Sequence, residues 1–181
     1  MYSDMQNTST QRPQILTALL LFAGMATVIA SVLGFQHIGG YIPCKLCLAQ
    51  REPYYAAMPV ALLAALSASR GWPQCINRGA LAICGLLLIY TAALASYHSG
   101  IEWGWWQGPS DCGATAGNIS ANVNDLLSDL TAKRPPSCDK AAGRFLGLSF
   151  AGWNVVVSLV LAAIAFRGAA RASGGHKPAA G

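Results

Sequence analysis

The chain has 181 residues, 54% of them hydrophobic and only 10% charged, with a net charge of +5. Soluble domains average about 25% charged residues. A water-soluble globule is therefore a poor fit, because long apolar runs with so few charges aggregate in water. The positive charge does not require a nucleic-acid partner, since its distribution follows a membrane topology.

Residues 1–14 are polar and rich in Ser, Thr and Gln, and are expected to form a mobile cytoplasmic tail. Uncharged runs then cover Ile15–Phe35, Pro53–Ser69, Gly79–Tyr97 and Phe145–Phe166. A spanning helix needs roughly 17–25 apolar residues. The first, third and fourth runs meet that length. The second is extended toward Cys47, with Arg51 and Glu52 in its first turns. The first run exceeds the apolar core of about 7–15 residues in a cleaved signal peptide, so it reads as a retained helix. The expected class is an all-α membrane protein: a four-helix transmembrane bundle over 15–168, with spans near 15–35, 48–69, 79–97 and 145–166. Its outer loops cover about 36–47 and 98–144, and 169–181 form a second cytoplasmic tail. In the long loop, Val123, Leu126, Leu127 and Leu130 recur at helical spacing opposite polar residues, which predicts a short amphipathic helix ending before Pro135-Pro136. Trp103, Trp105 and Trp106 fit either an aromatic belt at the membrane surface or a docking surface.

Orientation follows the Lys and Arg of the short loops. Arg12, Arg70, Arg78, Arg167, Arg171 and Lys177 share one side with a single acid, Asp4. That side is expected to be cytoplasmic, with both termini. The opposite side carries Cys44, Cys47, Cys112 and Cys138, placing them where disulfides persist. Cys75 falls in the short cytoplasmic loop and Cys84 inside the third span, where it suits a small packing residue.

Cys44 and Cys47 form a C-x-x-C at the start of a helix, a setting that makes thiols reactive. Cys112 and Cys138 form a second, widely spaced pair. Two thiol pairs on one membrane face can pass electrons by disulfide exchange, which points to a membrane thiol oxidoreductase. Arg51 follows Cys47 by four residues, one helical turn on, and favours a Cys47 thiolate by charge; taken alone it would read as an interfacial cation. A zinc site would need a second close pair or nearby His ligands, which the spacing does not supply, so no metal is expected. A purely structural Cys112–Cys138 disulfide stays open. Gln36, His37 and His98, at the outer ends of the first and third spans, suit interface residues or donors to a carbonyl ligand held between helices.

In this order and spacing the chain resembles the disulfide bond formation protein B (DsbB) family of the bacterial inner membrane. The resemblance rests on Phe35-Gln36-His37, Pro43-Cys44-Lys45-Leu46-Cys47, Arg51, Tyr97-His98, Cys112, Cys138, and Phe145-Leu146-Gly147-Leu148 with Trp153. The vitamin K epoxide reductase family is the nearest rival, but its C-x-x-C lies in the last bundle helix. One departure is Gln50, where the family often has an acidic residue before the Arg.

The resemblance implies that the protein oxidises a periplasmic DsbA-type thiol oxidase and passes the electrons to a membrane quinone, ubiquinone or menaquinone. It implies that Cys112 meets the partner, that Cys138 reacts with Cys44, and that electrons leave through Cys47 beside Arg51. Gln36, His37 and His98 would complete the quinone site. A reductive relay of the same fold, or a non-enzymatic membrane protein with a structural disulfide or zinc, are the alternatives.

Overall fold

Ala18, Leu21, Met25 and Ile29 recur at helical spacing, and all four are buried along one stripe of α1 (Tyr2–His37). The computed structural model describes residues 2–109, 138 and 141–171. Among them α1 is followed by α2 (Lys45–Ala49), α3 (Glu52–Ser69) and α4 (Gln74–Glu102). A two-stranded antiparallel hairpin, β1 (Arg144–Phe145) and β2 (Leu148–Ser149), leads directly into α5 (Phe150–Arg171). Among the described residues, that hairpin is the only strand structure beside the helices.

α1, α3, α4 and α5 pack side by side. α4 lies between α3 and α5, and α1 contacts both α3 and α5. Small residues make close approach possible. α3 buries Ala57, Ala61, Ala64 and Ala68, and α5 buries Gly152, Ser158, Ala162 and Ala165. The outward faces are apolar too: Leu16, Leu20, Leu62, Leu86, Tyr90 and Val160 are all exposed. Apolar residues on both the inner and the outer faces suit surroundings of lipid. Three helical segments, Arg12–His37, Gln74–Glu102 and Phe150–Arg171, are long and apolar enough to cross a membrane.

Several boundaries differ from those expected. α1 begins at Tyr2, so the polar segment expected to be a mobile tail continues the helix. The second expected span is interrupted. α2 ends at Ala49, and α3 starts afresh at Glu52 with Arg51 as its N-cap. Pro53 is the physical cause, since a proline has no N–H to continue the helical ladder, and Arg51 N–H turns back to Leu48 O at 2.9 Å. The remaining 18-residue α3 is not among the three segments that qualify as spans by length and composition.

α4 outruns its expected limits at both ends. Cys75 lies in its first turn, exposed, and His98 lies within the helix where the long loop was expected to begin. α3 and α4 end alike, with Gly71 and Gly104 in the left-handed region (φ 67° and 73°). Trp72 N–H then reaches Ser67 O, and Trp105 N–H reaches Gly100 O, both at 2.9 Å, which satisfies carbonyls left open at a helix end.

The fourth expected helix begins at Phe150, because residues 144–149 form the hairpin. Leu146 and Gly147 both have positive φ, 51° and 83°, the signature of a two-residue type I′ turn. The amphipathic helix expected around Val123–Leu130 lies outside the described residues. Trp106 stacks on Tyr97 at 5.9 Å and donates through Nε1 to Tyr97 O at 2.9 Å, and all three of Trp103, Trp105 and Trp106 are exposed.

Candidate functional site

Pro43 leads an extended segment into Cys44, whose φ of −76° and ψ of 168° make it the N-cap of α2. Its Sγ accepts the Cys47 backbone N–H at 3.2 Å. The same turn brings Cys47 Sγ to 2.6 Å from Cys44 Sγ. A disulfide spans about 2.05 Å, so the two sulfurs need only a small approach to bond. Both thiols are free, and Cys44 is buried.

Cys138 belongs to a disulfide and is buried. Its sulfur, the Cys44 sulfur and a ring nitrogen of His98 all lie within 4.8 Å of one another. Ile101 closes the apolar side of this group, and Leu46 and Cys47 pack against it. The group unites residues far apart in sequence. Because Cys138 already shares its sulfur in a disulfide, the chemistry at hand is sulfur exchange.

The reduced C-x-x-C holds one charge more readily than two. The hydrogen bond from Cys47 holds the Cys44 thiol well below its ordinary value, at about 4, against the opposing effect of burial. His98, with Nε2 at 3.8 Å from Cys44 Sγ, acts in the same direction. The shared hydrogen bond pushes Cys47 upward, and burial adds to that; Arg51 lowers it by the smallest contribution. The sequence alone favours a thiolate on Cys47 next to Arg51. The structure favours Cys44, because the donors converge there.

Arg51 and Gln36 meet, with Nη1 donating to Gln36 Oε1 at 2.7 Å. The contact fixes the guanidinium near the C-terminal end of α1. His37 ends α1 exposed and stands outside the sulfur cluster. Cys112 lies outside the described residues.

Sequence reasoning missed the polar residues behind His98. Gln50 Nε2 lies 2.9 Å from His98 Nδ1, Asn154 Nδ2 donates to Gln50 Oε1 at 2.7 Å, and Tyr54 OH donates to Asn154 Oδ1 at 2.8 Å. Glu102 approaches His98 Nε2 at 3.9 Å with its side chain 4% exposed. The available signals were the four-residue spacings Gln50/Tyr54 and His98/Glu102, and an asparagine inside an otherwise apolar helix.

The family model for disulfide bond formation protein DsbB matches residues 14–167. The chain belongs to the DsbB family. It is 32% identical over 165 residues to disulfide bond formation protein B of Aromatoleum aromaticum, covering 86% of this chain and 94% of the relative. The Marinobacter nauticus protein of the same name is 32% identical over 143 residues, covering 76% and 80%. That of Verminephrobacter eiseniae is 28% identical over 170 residues, covering 90% and 91%. No solved structure matches the chain. Membership in the DsbB family and the three apolar helices make it a membrane disulfide oxidoreductase.

Proposed function

We propose that the protein oxidises a periplasmic DsbA-type dithiol protein and delivers the electrons to a membrane quinone. The observation that carries this reading is Cys138: already in a disulfide, its sulfur lies within 4.8 Å of Cys44. Once a partner thiolate has displaced it from that bond, the Cys138 thiolate is placed to attack a Cys44–Cys47 disulfide.

The steps balance as disulfide exchange. A partner thiolate attacks Cys112, breaks the Cys112–Cys138 bond and forms a mixed disulfide. Cys138 leaves as a thiolate. The partner's second thiolate resolves the mixed disulfide, so the partner leaves oxidised and Cys112 is released as a thiol. Cys138 attacks Cys44 and breaks Cys44–Cys47, and Cys47 takes the electron pair. Cys112 then closes on Cys138, which restores the loop disulfide and leaves Cys44–Cys47 reduced. His98 faces the Cys44 sulfur and steadies negative charge there.

Arg51, oriented by Gln36, and His98 are the residues that would hold a quinone. The donor set fits: a guanidinium has five N–H donors, and Gln36 takes one of them. A quinone bound there supplies an acceptor for two electrons and two protons.

The proposed topology is a four-span bundle with the cysteines in the periplasm and both termini in the cytoplasm. Buried Asn77 meets Gln14, and Gly168 lies against Thr17, at the end away from the sulfurs. That end carries Arg12, Arg70, Arg78, Arg167 and Arg171, as the positive-inside rule requires.

The test adds reduced DsbA-type protein and quinone to the purified protein and follows quinone reduction. Steady turnover is expected. No turnover in either direction would leave a structural disulfide, and turnover favouring reduction of the dithiol partner would make the protein a reductive relay.

A further inference from the structure

His98 faces sulfur on one side of its ring and amide on the other. Nε2 lies 3.8 Å from Cys44 Sγ and 3.9 Å from Glu102 Oε1. A sulfur and a carboxylate oxygen can both accept, so an N–H on this edge of the ring serves them. Nδ1 lies 2.9 Å from the Gln50 side-chain nitrogen. A neutral imidazole has one donor and one acceptor nitrogen. With its proton on Nε2, Nδ1 must accept.

That requirement propagates. To donate to Nδ1, Gln50 must turn its NH2 group toward the ring and its oxygen away. Its oxygen then needs a donor, and Asn154 Nδ2 is 2.7 Å away. Asn154 is thereby fixed with its oxygen toward Tyr54, whose hydroxyl donates at 2.8 Å. Every partner in the row Tyr54–Asn154–Gln50–His98 has one role that satisfies its neighbours. The reverse polarity turns the Gln50 oxygen toward the ring and calls for a proton on Nδ1. In a neutral ring that leaves a bare lone pair facing Cys44 and Glu102.

We infer that Gln50, Asn154 and Tyr54 are positioning residues that set the tautomer of His98, so that its Nε2–H points at the Cys44 sulfur. Gln50, His98 and Tyr54 are buried, at 5%, 4% and 1% exposure, where water does not offer alternative partners. A buried polar row of this kind specifies one arrangement only when all its members are satisfied. The row also joins three helices, since Tyr54 is on α3, His98 on α4 and Asn154 on α5. The protonation of the redox site is thus fixed from within the helix packing. The inference rests on the reading that Cys44–Cys47 is the redox pair, and is independent of the electron acceptor.

The experiment is nitrogen NMR of the full-length reduced protein with 15N-labelled histidine, His98 being assigned by the signals missing in His98→Gln. The wild type is expected to show a proton on Nε2 and none on Nδ1. Gln50→Glu presents an acceptor in place of the donor and is expected to protonate Nδ1. The change in the Nδ1-protonated to unprotonated ratio should be about tenfold or more, the scale of a charge-assisted hydrogen bond. Tyr54→Phe removes only the terminal donor and should give a mixture of the two tautomers. A protonated Nδ1 in the wild type overturns the proposal without any variant having to fold. An unprotonated Nδ1 in folded Gln50→Glu overturns it as well. Turnover is measured separately, so a protein that shows the expected tautomer but never oxidises a dithiol partner would sink the functional reading alone.

Discussion

Cys44 and Cys84 are both buried free cysteines, yet they sit in opposite surroundings. Cys84, at 0% exposure in the middle of α4, contacts the Ala57 carbonyl at 3.5 Å and is otherwise enclosed by the main apolar core. Cys44 is 3% exposed and meets a backbone N–H, a second thiol and an imidazole. Burial is common to the two, so burial does not make a cysteine reactive. Convergent donors do, since they favour the thiolate.

The largest expected effect comes from deleting the sulfurs at one site and comparing the other. Cys44→Ser and Cys47→Ser should each abolish quinone-linked turnover. Cys84→Ala should leave it nearly intact and cost about 1 kcal/mol of stability or less. A turnover loss in Cys84→Ala comparable to Cys44→Ser would erase the distinction. Cys138→Ser removes the resolving sulfur and should accumulate a mixed disulfide with the partner through Cys112, seen as a shifted band on non-reducing gels. A trapped species running through Cys44 would reverse the assigned order.

Next in size is Arg51. Loss of a charged hydrogen bond costs about 1.5–3 kcal/mol, so Arg51→Ala should raise the apparent KM for quinone by roughly 10- to 150-fold. Arg51→Lys keeps the charge without the planar fork and should fall between. Gln36→Leu frees the guanidinium and should have a smaller effect of the same kind. An unchanged quinone dependence in Arg51→Ala would return Arg51 to the role of an interfacial cation.

A subtler contrast is pH. Cys44, depressed to about 4 from an ordinary 9.0, should stay a thiolate at neutral pH. Its ultraviolet absorbance should disappear only as pH falls through about 4. Linkage has the corresponding sign: a depressed folded value stabilises the reduced fold above the unfolded thiol's pKa. That contribution declines as pH drops from 9.0 toward about 4. His98→Leu should move the transition upward. A transition near 9 in the wild type would mean that the donors around Cys44 do not act on it. The smallest effect is one of access: in cells with a permeable outer membrane, an impermeant thiol reagent applied after reduction should label Cys112 and spare Cys75.

Much of this was legible in the sequence. Long uncharged runs gave the helices, and the C-x-x-C with Arg51 drew attention to the end of the molecule where the sulfurs cluster. What could not be read were contacts made across helices. Asn154 meets Gln50 only because α5 and the α2–α3 joint come together at one register, and hydropathy is blind to register. The hairpin at residues 144–149 was hidden for another reason. Phe145, Leu146 and Leu148 look like the start of an apolar helix, while the turn depends on Leu146 adopting a positive φ that its side chain disfavours. The break between α2 and α3 has a signal in Pro53, but the shortness of the second uncharged run favours extending that span back toward Cys47.

That break has a mechanical consequence. The C-x-x-C rides on a five-residue helix whose hydrogen-bond ladder does not run on into α3. Opening and closing a sulfur–sulfur bond shifts atoms by a fraction of an ångström to about an ångström, and a continuous helix would carry that shift along its axis like a stiff rod. Here the ladder is interrupted at Gln50–Arg51, where Gln50 is tied to His98 and Asn154 and Arg51 to Gln36, so the shift meets side-chain contacts to α4, α5 and α1 in place of a continuous rod. With Cys44–Cys47 as the proposed redox pair, the alanine seam of α3 lies beyond that interruption, off the direct helical path from the bond that would be made and broken.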